Sequence, residues 1–110
     1  MDNTSVVQSL ALAFSGKHTG TYSRSYLANS CATSDRDMRE ALAELRAQGR
    51  LIVADVEGGY RLATSAEDVR RYTGSLRSRI VALAKIVRAM EAEAIRQFGD
   101  FEQLPLDLAG

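Results

Sequence analysis

SDRDMREALAELRAQG, residues 34–49, is the stretch that decides the fold. Ser34 is a favourable N-cap, and Asp35 and Asp37 follow it in the first turn, where the helix dipole stabilises acidic side chains. Gly49 stands where the end of a helix favours a left-handed residue. Between these ends lies an apolar stripe at helical spacing, formed by Met38, Ala41, Leu42 and Leu45. The stretch predicts a helix over residues 34–48 with one buried face.

A first helix is predicted near the start of the chain. Asn3 or Thr4 caps it, and its apolar residues recur at helical spacing: Val6, Val7, Leu10, Ala11, Ala13 and Phe14. A polar loop with two glycines, residues 15–20, ends this helix.

A second, shorter helix is predicted just before residue 34. Residues 21–22 form a very short strand, and Ser23 caps a helix that runs to about Cys31. We expect Tyr26, Leu27 and Cys31 to point inward. Residues 32–33 leave room only for a tight turn between this helix and the next.

A β-hairpin is predicted after the third helix. Residues 51–56, LIVADV, are mostly apolar and rich in β-branched side chains, residues 57–59, EGG, form a turn, and residues 60–62, YRL, form the second strand.

A long fourth helix is predicted over residues 65–97. Either Thr64 with Glu67 or Ser65 with Asp68 supplies a start resembling a capping box. No proline and a single internal glycine interrupt the stretch before residue 99. A helix of about 32 residues is about 48 Å long, at about 1.5 Å per residue, which exceeds the width of so small a domain.

This helix carries a heptad pattern that we call the seam. Leu76, Leu83 and Met90 repeat every seven residues, and Ile80, Val87 and Ala94 occupy the interleaved positions. Such spacing is typical of a coiled coil and predicts a homodimer through the long helix. The alternative is that part of the seam packs on the chain's own N-terminal domain as ordinary core.

The predicted order of elements resembles a winged helix-turn-helix domain. Ser23-x-x-x-Leu27-Ala28, followed by Ser34-x-Arg36-x-x-Arg39-x-x-x-Ala43-x-Leu45 and Gly49, is similar to the corresponding run in many bacterial and phage winged helices. Residues 59–65, GYRLATS, resemble the wing and its exit in phage-encoded regulators. The resemblance covers residues 3–75. It implies a mainly α (α+β) class with a winged-helix domain over residues 1–64. The heptad pattern adds a coiled-coil helix over residues 65–97, and the acidic, non-periodic composition of residues 98–110 predicts a flexible tail.

Within that fold, the third helix is the expected DNA-reading element. Arg36, Arg39, Ala43 and Arg46 are spaced as one outward stripe, and a small residue between arginines allows close approach to a major groove. Arg36 and Arg39 are candidates for guanine contacts, and the hydroxyls of Thr33 and Ser34 for phosphate contacts. The candidate DNA-binding residues are Thr33, Ser34, Arg36, Arg39, Ala43, Arg46, Arg50 and Arg61.

Other readings of these charges remain open. The arginines of the third helix also fit a solvated face paired with Glu40 and Asp35. Asp55 and Glu57 flank the hairpin tip and argue against tight phosphate contact there, and winged helices also serve as protein-interaction modules. Lys17 and His18 fit phosphate contacts and mobile surface positions equally well. Further candidates for phosphate contacts lie near the start of the long helix, at Arg70, Arg71, Arg77 and Arg79, of which Arg77 and Arg79 equally fit solvated flanks of the seam.

Composition restricts the functional classes. The chain has 14 basic and 14 acidic residues. Every basic residue precedes residue 98, so that the body is weakly basic and the tail acidic, a distribution compatible with a DNA partner. A single cysteine, Cys31, and a single histidine, His18, exclude an internal disulfide and a usual Cys/His metal site. We interpret Cys31 as a small core residue rather than a nucleophile. No catalytic set or phosphate-cradling glycine loop is present, so we expect neither enzymatic activity nor a cofactor.

The single cysteine and the character of the N-terminus indicate a cytoplasmic, nucleoid-associated protein. The N-terminus lacks the basic start and long apolar run of a signal peptide, and no stretch reaches the ~18 apolar residues of a membrane span.

The tail contains QLPLDL, residues 103–108, which resembles the peptide by which bacterial replication and repair proteins bind the DNA polymerase sliding clamp. Gln103, Leu104, Leu106 and Leu108 match that pattern. Alternatively, the leucines cover a groove on the partner helix. Two functional hypotheses follow: a dimeric DNA-binding regulator or accessory factor, and a protein–protein adaptor that uses the winged helix and the tail.

Overall fold

The structure, a computed structural model, describes residues 4–15, 20–55, 57–99 and 101–105. It is mainly helical, with one small antiparallel sheet and a long C-terminal helix. The elements are α1 (Thr4–Ala13), α2 (Arg24–Ser30), α3 (Asp35–Ala47), β1 (Ile52–Ala54), β2 (Tyr60–Leu62) and α4 (Ala66–Phe98). Their order is the one predicted.

The chain divides into two compact units, residues 1–72 and 73–110. The division lies inside α4, whereas the sequence placed the end of the first domain at residue 64. The first turns of α4 belong to the N-terminal unit, where Tyr72 contacts the guanidinium group of Arg46.

The predicted limits of α3 are confirmed. The Ser34 hydroxyl accepts a hydrogen bond from the Asp37 N–H at 3.1 Å, and Gly49 adopts a φ of 98°. These two local signals start and stop the helix. The predicted stripe is fully buried and consists of Met38, Ala41, Leu42 and Leu45.

Helix α2 begins as predicted but buries a different face. The Ser23 hydroxyl accepts from the Tyr26 N–H at 3.1 Å. The buried residues are Leu27 and Ala28, while Tyr26 is 55% exposed. The expectation that Tyr26 points inward is therefore wrong, because its ring lies at the surface and stacks on Tyr22.

The hairpin pairs β1 with β2 in antiparallel register, Val53 opposite Arg61. Its first strand is shorter than predicted, since Leu51 lies outside it and Val56 lies outside the described residues. The predicted short strand is an isolated bridge, in which Tyr22 and Tyr60 exchange two backbone hydrogen bonds of 2.8 Å. Gly59 permits this approach, because a Cβ atom there would lie 2.8 Å from the Tyr22 carbonyl oxygen.

The N-terminal unit is built around one apolar core from α1, α2, α3 and the hairpin. Its largest fully buried side chains are Phe14, Leu10, Leu27, Met38, Leu42, Leu45 and Ile52. Phe14 packs edge-to-face on Tyr22 at 5.2 Å between ring centroids. The Tyr22 hydroxyl donates to the Ala13 carbonyl at 3.0 Å, so that α1 and the bridge are joined at this point.

Helix α4 starts with the second of the two predicted caps. The Ser65 hydroxyl accepts from the Asp68 N–H at 3.1 Å, and the Asp68 carboxylate accepts from the Thr64 N–H at 2.9 Å. The two residues of the first cap have other partners: the Thr64 hydroxyl donates to the Asp68 carboxylate at 2.8 Å, and Glu67 pairs with Arg70.

The second unit consists of the remainder of α4 and the chain after it. Residues 101–105 have no regular secondary structure. In the described ranges, none of the helices combines the length and the apolar character that crossing a lipid bilayer demands.

Candidate nucleic-acid interface

The side of α3 opposite its buried stripe forms a surface that we call the outer face. Arg36, Ala43 and Ala47 lie on it at spacings of seven and four residues, and all three are exposed. The Arg36 side chain is 83% exposed and forms a 3.3 Å ion pair with Glu40 one turn later. The outer face thus carries one long cation, its exposed carboxylate partner Glu40, and the two methyl groups of Ala43 and Ala47.

Arg39 lies at the edge of the outer face in an ion-pair network. Its Nε is 2.9 Å from the Asp35 carboxylate, which also receives two hydrogen bonds from Arg24, at 2.6 and 3.1 Å. The hydrogen bond from Arg24, assisted by the charges of both arginines, lowers the pKa of the Asp35 carboxyl below its usual range. The network ties the start of α2 to the start of α3 and leaves a net positive charge there.

Arg24 is a residue that sequence reasoning missed. It is 11 residues before Asp35 and belongs to another helix, so no helical spacing relates the two. Its position directly after the Ser23 N-cap was the only local hint of exposure at that site.

Arg46 does not lie on the outer face, and the expectation that it points outward is wrong. Its Nε donates to the Ile52 carbonyl oxygen at 2.8 Å. Its guanidinium carbon lies 4.6 Å from the ring centroid of Tyr72 and 5.5 Å from that of Tyr60. Position 46 lies close to the buried stripe around the helix, and two aromatic rings and a strand end attract the cation inward.

Arg61 is likewise held by other residues of the N-terminal unit. It makes two hydrogen bonds to the Asp68 carboxylate, at 2.9 and 3.2 Å, and its side chain is only 24% exposed. Asp68 raises the pKa of the Arg61 guanidinium. Arg61 thus joins the hairpin to the start of α4. Arg50, by contrast, is exposed in the turn after α3.

The turn between α2 and α3 borders a polar depression. Thr33 is half-buried, and its N–H donates to the Ala28 carbonyl at 3.0 Å, whereas Ser34 is exposed and caps α3. The depression extends to the hairpin turn, and its hydroxyl, amide and guanidinium groups come from Thr21, Ser23, Arg24, Ser25, Asn29 and Thr33.

The structure therefore brings six of the eight candidate residues to one region and separates two. The six lie on the outer face of α3 or next to its ends: Thr33, Ser34, Arg36, Arg39, Ala43 and Arg50. Arg46 and Arg61 are engaged inside the unit. Lys17 and His18 lie outside the described residues.

No group of three His, Cys, Asp or Glu side chains in the described part of the chain is arranged to bind a metal ion. Cys31 is half-buried at the end of α2, and burial raises the pKa of its thiol, which disfavours the reactive thiolate.

In the second unit, half of the seam is well exposed. Ile80, Leu83 and Met90 are 43%, 61% and 69% exposed, and Leu76, Val87 and Ala94 are half-buried. Of the tail motif, Gln103 and Leu104 are exposed, and Leu106 and Leu108 lie outside the described residues. Arg77 and Arg79 are exposed on α4, as are Arg70 and Arg71 in the N-terminal unit.

No known protein family, curated protein or solved structure matches this chain. Its function is therefore inferred from its own residues.

Proposed function

We propose that this chain is a non-enzymatic double-stranded DNA-binding protein of the phage or bacterial winged-helix type, a transcriptional regulator or DNA-transaction accessory factor. It acts in the cytoplasm, on the nucleoid, as a homodimer joined through the seam. The observation that carries the proposal is the outer face of α3, on which exposed Arg36 stands beside two alanines.

The outer face has the shape and chemistry that major-groove reading requires. Met38, Leu42 and Leu45 hold α3 to the core, so the opposite side is presented as a rigid surface. Ala43 and Ala47 keep that surface low enough for the helix to enter a groove of about 12 Å width. Arg36 then reaches base edges, where a bidentate contact with guanine provides roughly 1–3 kcal/mol of discrimination.

Arg39 and Arg24 supply the flanking positive charge. Their carboxylate partner, Asp35, neutralises one of the two charges and leaves the other for a DNA phosphate. Exposed ion pairs of this kind contribute about 0–1 kcal/mol, so Arg39 exchanges its partner for a phosphate at little cost. Ser34, Thr33 and Arg50 add polar contacts at the two ends of α3.

The hairpin that follows α3 corresponds to a wing, although its tip is not basic. The Asp55 carboxylate accepts from Thr21 at 3.1 Å and lies 3.9 Å from the Arg61 guanidinium. With Arg61 engaged inside the unit, the wing contributes few phosphate contacts. Affinity and specificity are therefore concentrated in α3.

The test is a double substitution on α3. Arg36→Ala/Arg39→Ala should lower the affinity for a selected duplex by at least about tenfold and remove sequence preference, because it deletes the base-reading and flanking cations. Fluorescence anisotropy on oligonucleotides selected from a random pool measures both the affinity and the sequence preference. Binding by the wild-type chain should fall steeply with salt as phosphates are neutralised.

A matched control keeps the charge change the same. Lys85→Ala/Arg88→Ala removes two exposed cations from the second unit and should leave binding close to that of the wild-type chain. Equal losses of affinity in the two double variants would show that α3 contributes only net charge to DNA binding. Unchanged binding in the α3 variant would reject it as the reading helix.

A second candidate function, docking on a replication partner such as the sliding clamp, is favoured by the tail. Gln103 is exposed and Leu104 is 69% exposed, as residues that insert into a partner's apolar pockets must be. A chain ending at Gly99 should keep DNA binding and lose association with purified clamp. If the full chain shows no clamp association, this second function is rejected.

A further inference from the structure

We propose that a second copy of the chain packs against the seam of α4 in antiparallel orientation. The inference deepens the proposed dimer and rests on it. In heptad notation, the a positions are Ile80, Val87 and Ala94, and the d positions are Leu76, Leu83 and Met90. Leu83 and Met90 are exposed on α4. An apolar surface of this kind is unfavourable in water and marks a contact site for a partner.

The flanking charges separate the two possible orientations. The g positions beside the seam are Arg79, Ile86 and Glu93, basic at one end and acidic at the other. In an antiparallel pair whose a and d layers are centred on residue 85, the g positions of one helix face the g positions of the other. Arg79 then lies near Glu93 of the second copy, and the two Ile86 side chains lie near each other. In a parallel pair, g positions face e positions five residues later, so that Ile86 meets Glu91 and no Arg–Glu pair forms.

The side-chain volumes of the seam agree with the charges. About the same centre, each layer combines an a residue with a d residue of the second copy. The three layers are Leu76 with Ala94, Ile80 with Met90, and Leu83 with Val87. In the parallel pair Ala94 faces Ala94 and leaves a gap, which costs stability. Branched residues at a with leucine at d favour two-stranded parallel coiled coils, whereas the charges at the g positions, which set orientation, and the small Ala94 favour the antiparallel pair here.

The tail identifies which flank is open. Gln103, Leu104 and Pro105 share a depression with Val87, Arg88 and Glu91, and so lie along the e side of the seam. The g side remains open: Ile86 is 54% exposed, and Arg79 is exposed. Glu93 binds Arg96 and Gln97 of its own helix, in contacts at the surface that yield to a partner arginine. The second helix thus enters from the g side and displaces the tail from Val87.

A charge-exchange experiment tests the orientation on the full chain. Arg79→Glu and Glu93→Arg should each raise the dimer dissociation constant by about tenfold, because each replaces two attractive contacts by two repulsive ones. The double variant Arg79→Glu/Glu93→Arg should recover to within about threefold of wild type. The two positions are about 21 Å apart on one helix, at about 1.5 Å per residue, so recovery requires contact between chains. Lys85→Glu, with the same charge change on the far side of α4, is the control and should have no effect.

Thiol cross-linking tests the antiparallel orientation independently. In a Cys31→Ser background, Ile86→Cys should be joined to its copy by a short bismaleimide, and Met90→Cys should not, because the two Met90 positions are about 15 Å apart in the antiparallel pair. Ile80→Cys/Met90→Cys should form interchain disulfides across their shared layer, which shows that substitution at these positions preserves the dimer.

The outcomes separate this inference from the function on which it rests. Cross-linking at Met90→Cys without Ile86→Cys, or no recovery in the charge-exchange double variant, overturns the antiparallel orientation and leaves the dimer standing. A wild-type chain that sediments as a monomer at every concentration overturns the dimer and its orientation together. DNA binding by α3 is decided by its own substitutions in either case.

Discussion

Arg46 is a cation built into the N-terminal unit. Its side chain connects α3 to the carbonyl of Ile52 at the start of β1, and it lies against Tyr60 of β2 and Tyr72 of α4. A planar guanidinium group suits this position, since it donates at its edge while its faces contact aromatic rings. Four elements of the unit therefore depend on one charged side chain.

Replacing Arg46 should weaken folding more than replacing any exposed arginine of α3. Arg46→Ala is expected to lower the free energy of unfolding by roughly 2–3 kcal/mol, from one charged hydrogen bond and two cation–π contacts. Arg46→Lys should recover only part of this, because an ammonium group cannot satisfy the carbonyl and both rings. Urea denaturation measures the effect. Arg50→Ala, at an exposed position in the following turn, is the control and should stay within about 0.5 kcal/mol of wild type; an equal effect of the two alanine variants contradicts the structural role.

At the scale of elements, the start of α4 is joined to the hairpin by Asp68. Its carboxylate accepts from the N–H and the hydroxyl of Thr64, at 2.9 and 2.8 Å, and from Arg61 of β2. The hydrogen bond from Arg61 is the main cause that holds the pKa of Asp68 far below its usual range. One carboxylate thus closes the helix cap and the ion pair together.

This carboxylate should make folding sensitive to acid. Because the pKa of Asp68 is lowered in the folded state, its contribution to stability is complete above about pH 4, the range of an ordinary Asp carboxyl, and declines as the pH falls below that range. Asp68→Asn should therefore have a lower Tm than wild type at pH 7, and the difference should narrow below about pH 4.

Thermal unfolding followed by circular dichroism from pH 7 to pH 2 measures this difference. Glu67→Gln removes a neighbouring carboxylate whose only described ion pair is with exposed Arg70, and it should change Tm little at any pH. A deficit of Asp68→Asn that stays constant down to pH 2 would show that the charge of Asp68 is not what joins the two elements.

At the scale of the whole molecule, α4 belongs to both compact units. Its 33 residues make it about 50 Å long, at about 1.5 Å per residue, and its first turns are part of the N-terminal unit. One continuous helix therefore carries both the end of the N-terminal unit and the seam through which we propose that the chain dimerises. In the proposed antiparallel pair, the two α4 helices run in opposite directions, so that their N-terminal ends lie at opposite ends of the pair.

The tail should act against dimerisation. Residues 103–105 lie beside Val87 and Glu91, which the second helix must contact. A chain ending at Gly99 is expected to dimerise at least as tightly as the full chain, as measured by sedimentation equilibrium. Weaker dimerisation after truncation would contradict this prediction and would indicate that the leucines of the tail contact the partner helix. A chain truncated after Gly99 but carrying Leu83→Glu should be monomeric, and it controls for association unrelated to the seam.

Much of the secondary structure was predictable, because its signals are local. The Ser23 and Ser34 caps act on N–H groups three residues later, and Gly49 relieves a left-handed conformation that depends only on its own backbone. The apolar stripe of α3 was predictable for the same reason, since periodicity along one helix does not depend on other elements. The hairpin turn needed only its glycines.

The candidate interface was less predictable, because side-chain partners are distant in sequence. Arg36 and Arg46 look alike in the sequence of one helix, yet one is 83% exposed and the other donates to Ile52. Arg24 and Asp35 meet only because α2 packs beside α3.

The sequence by itself determined where α2 and α3 begin, where α3 ends and which face of α3 is buried, since these follow from backbone hydrogen bonding and apolar periodicity over a few residues. Only the tertiary structure decided which arginines remain available for a partner. Arg46 and Arg61 are engaged within the N-terminal unit, because carbonyls, carboxylates and aromatic rings that hold a partly buried cation come there from elements elsewhere in the chain.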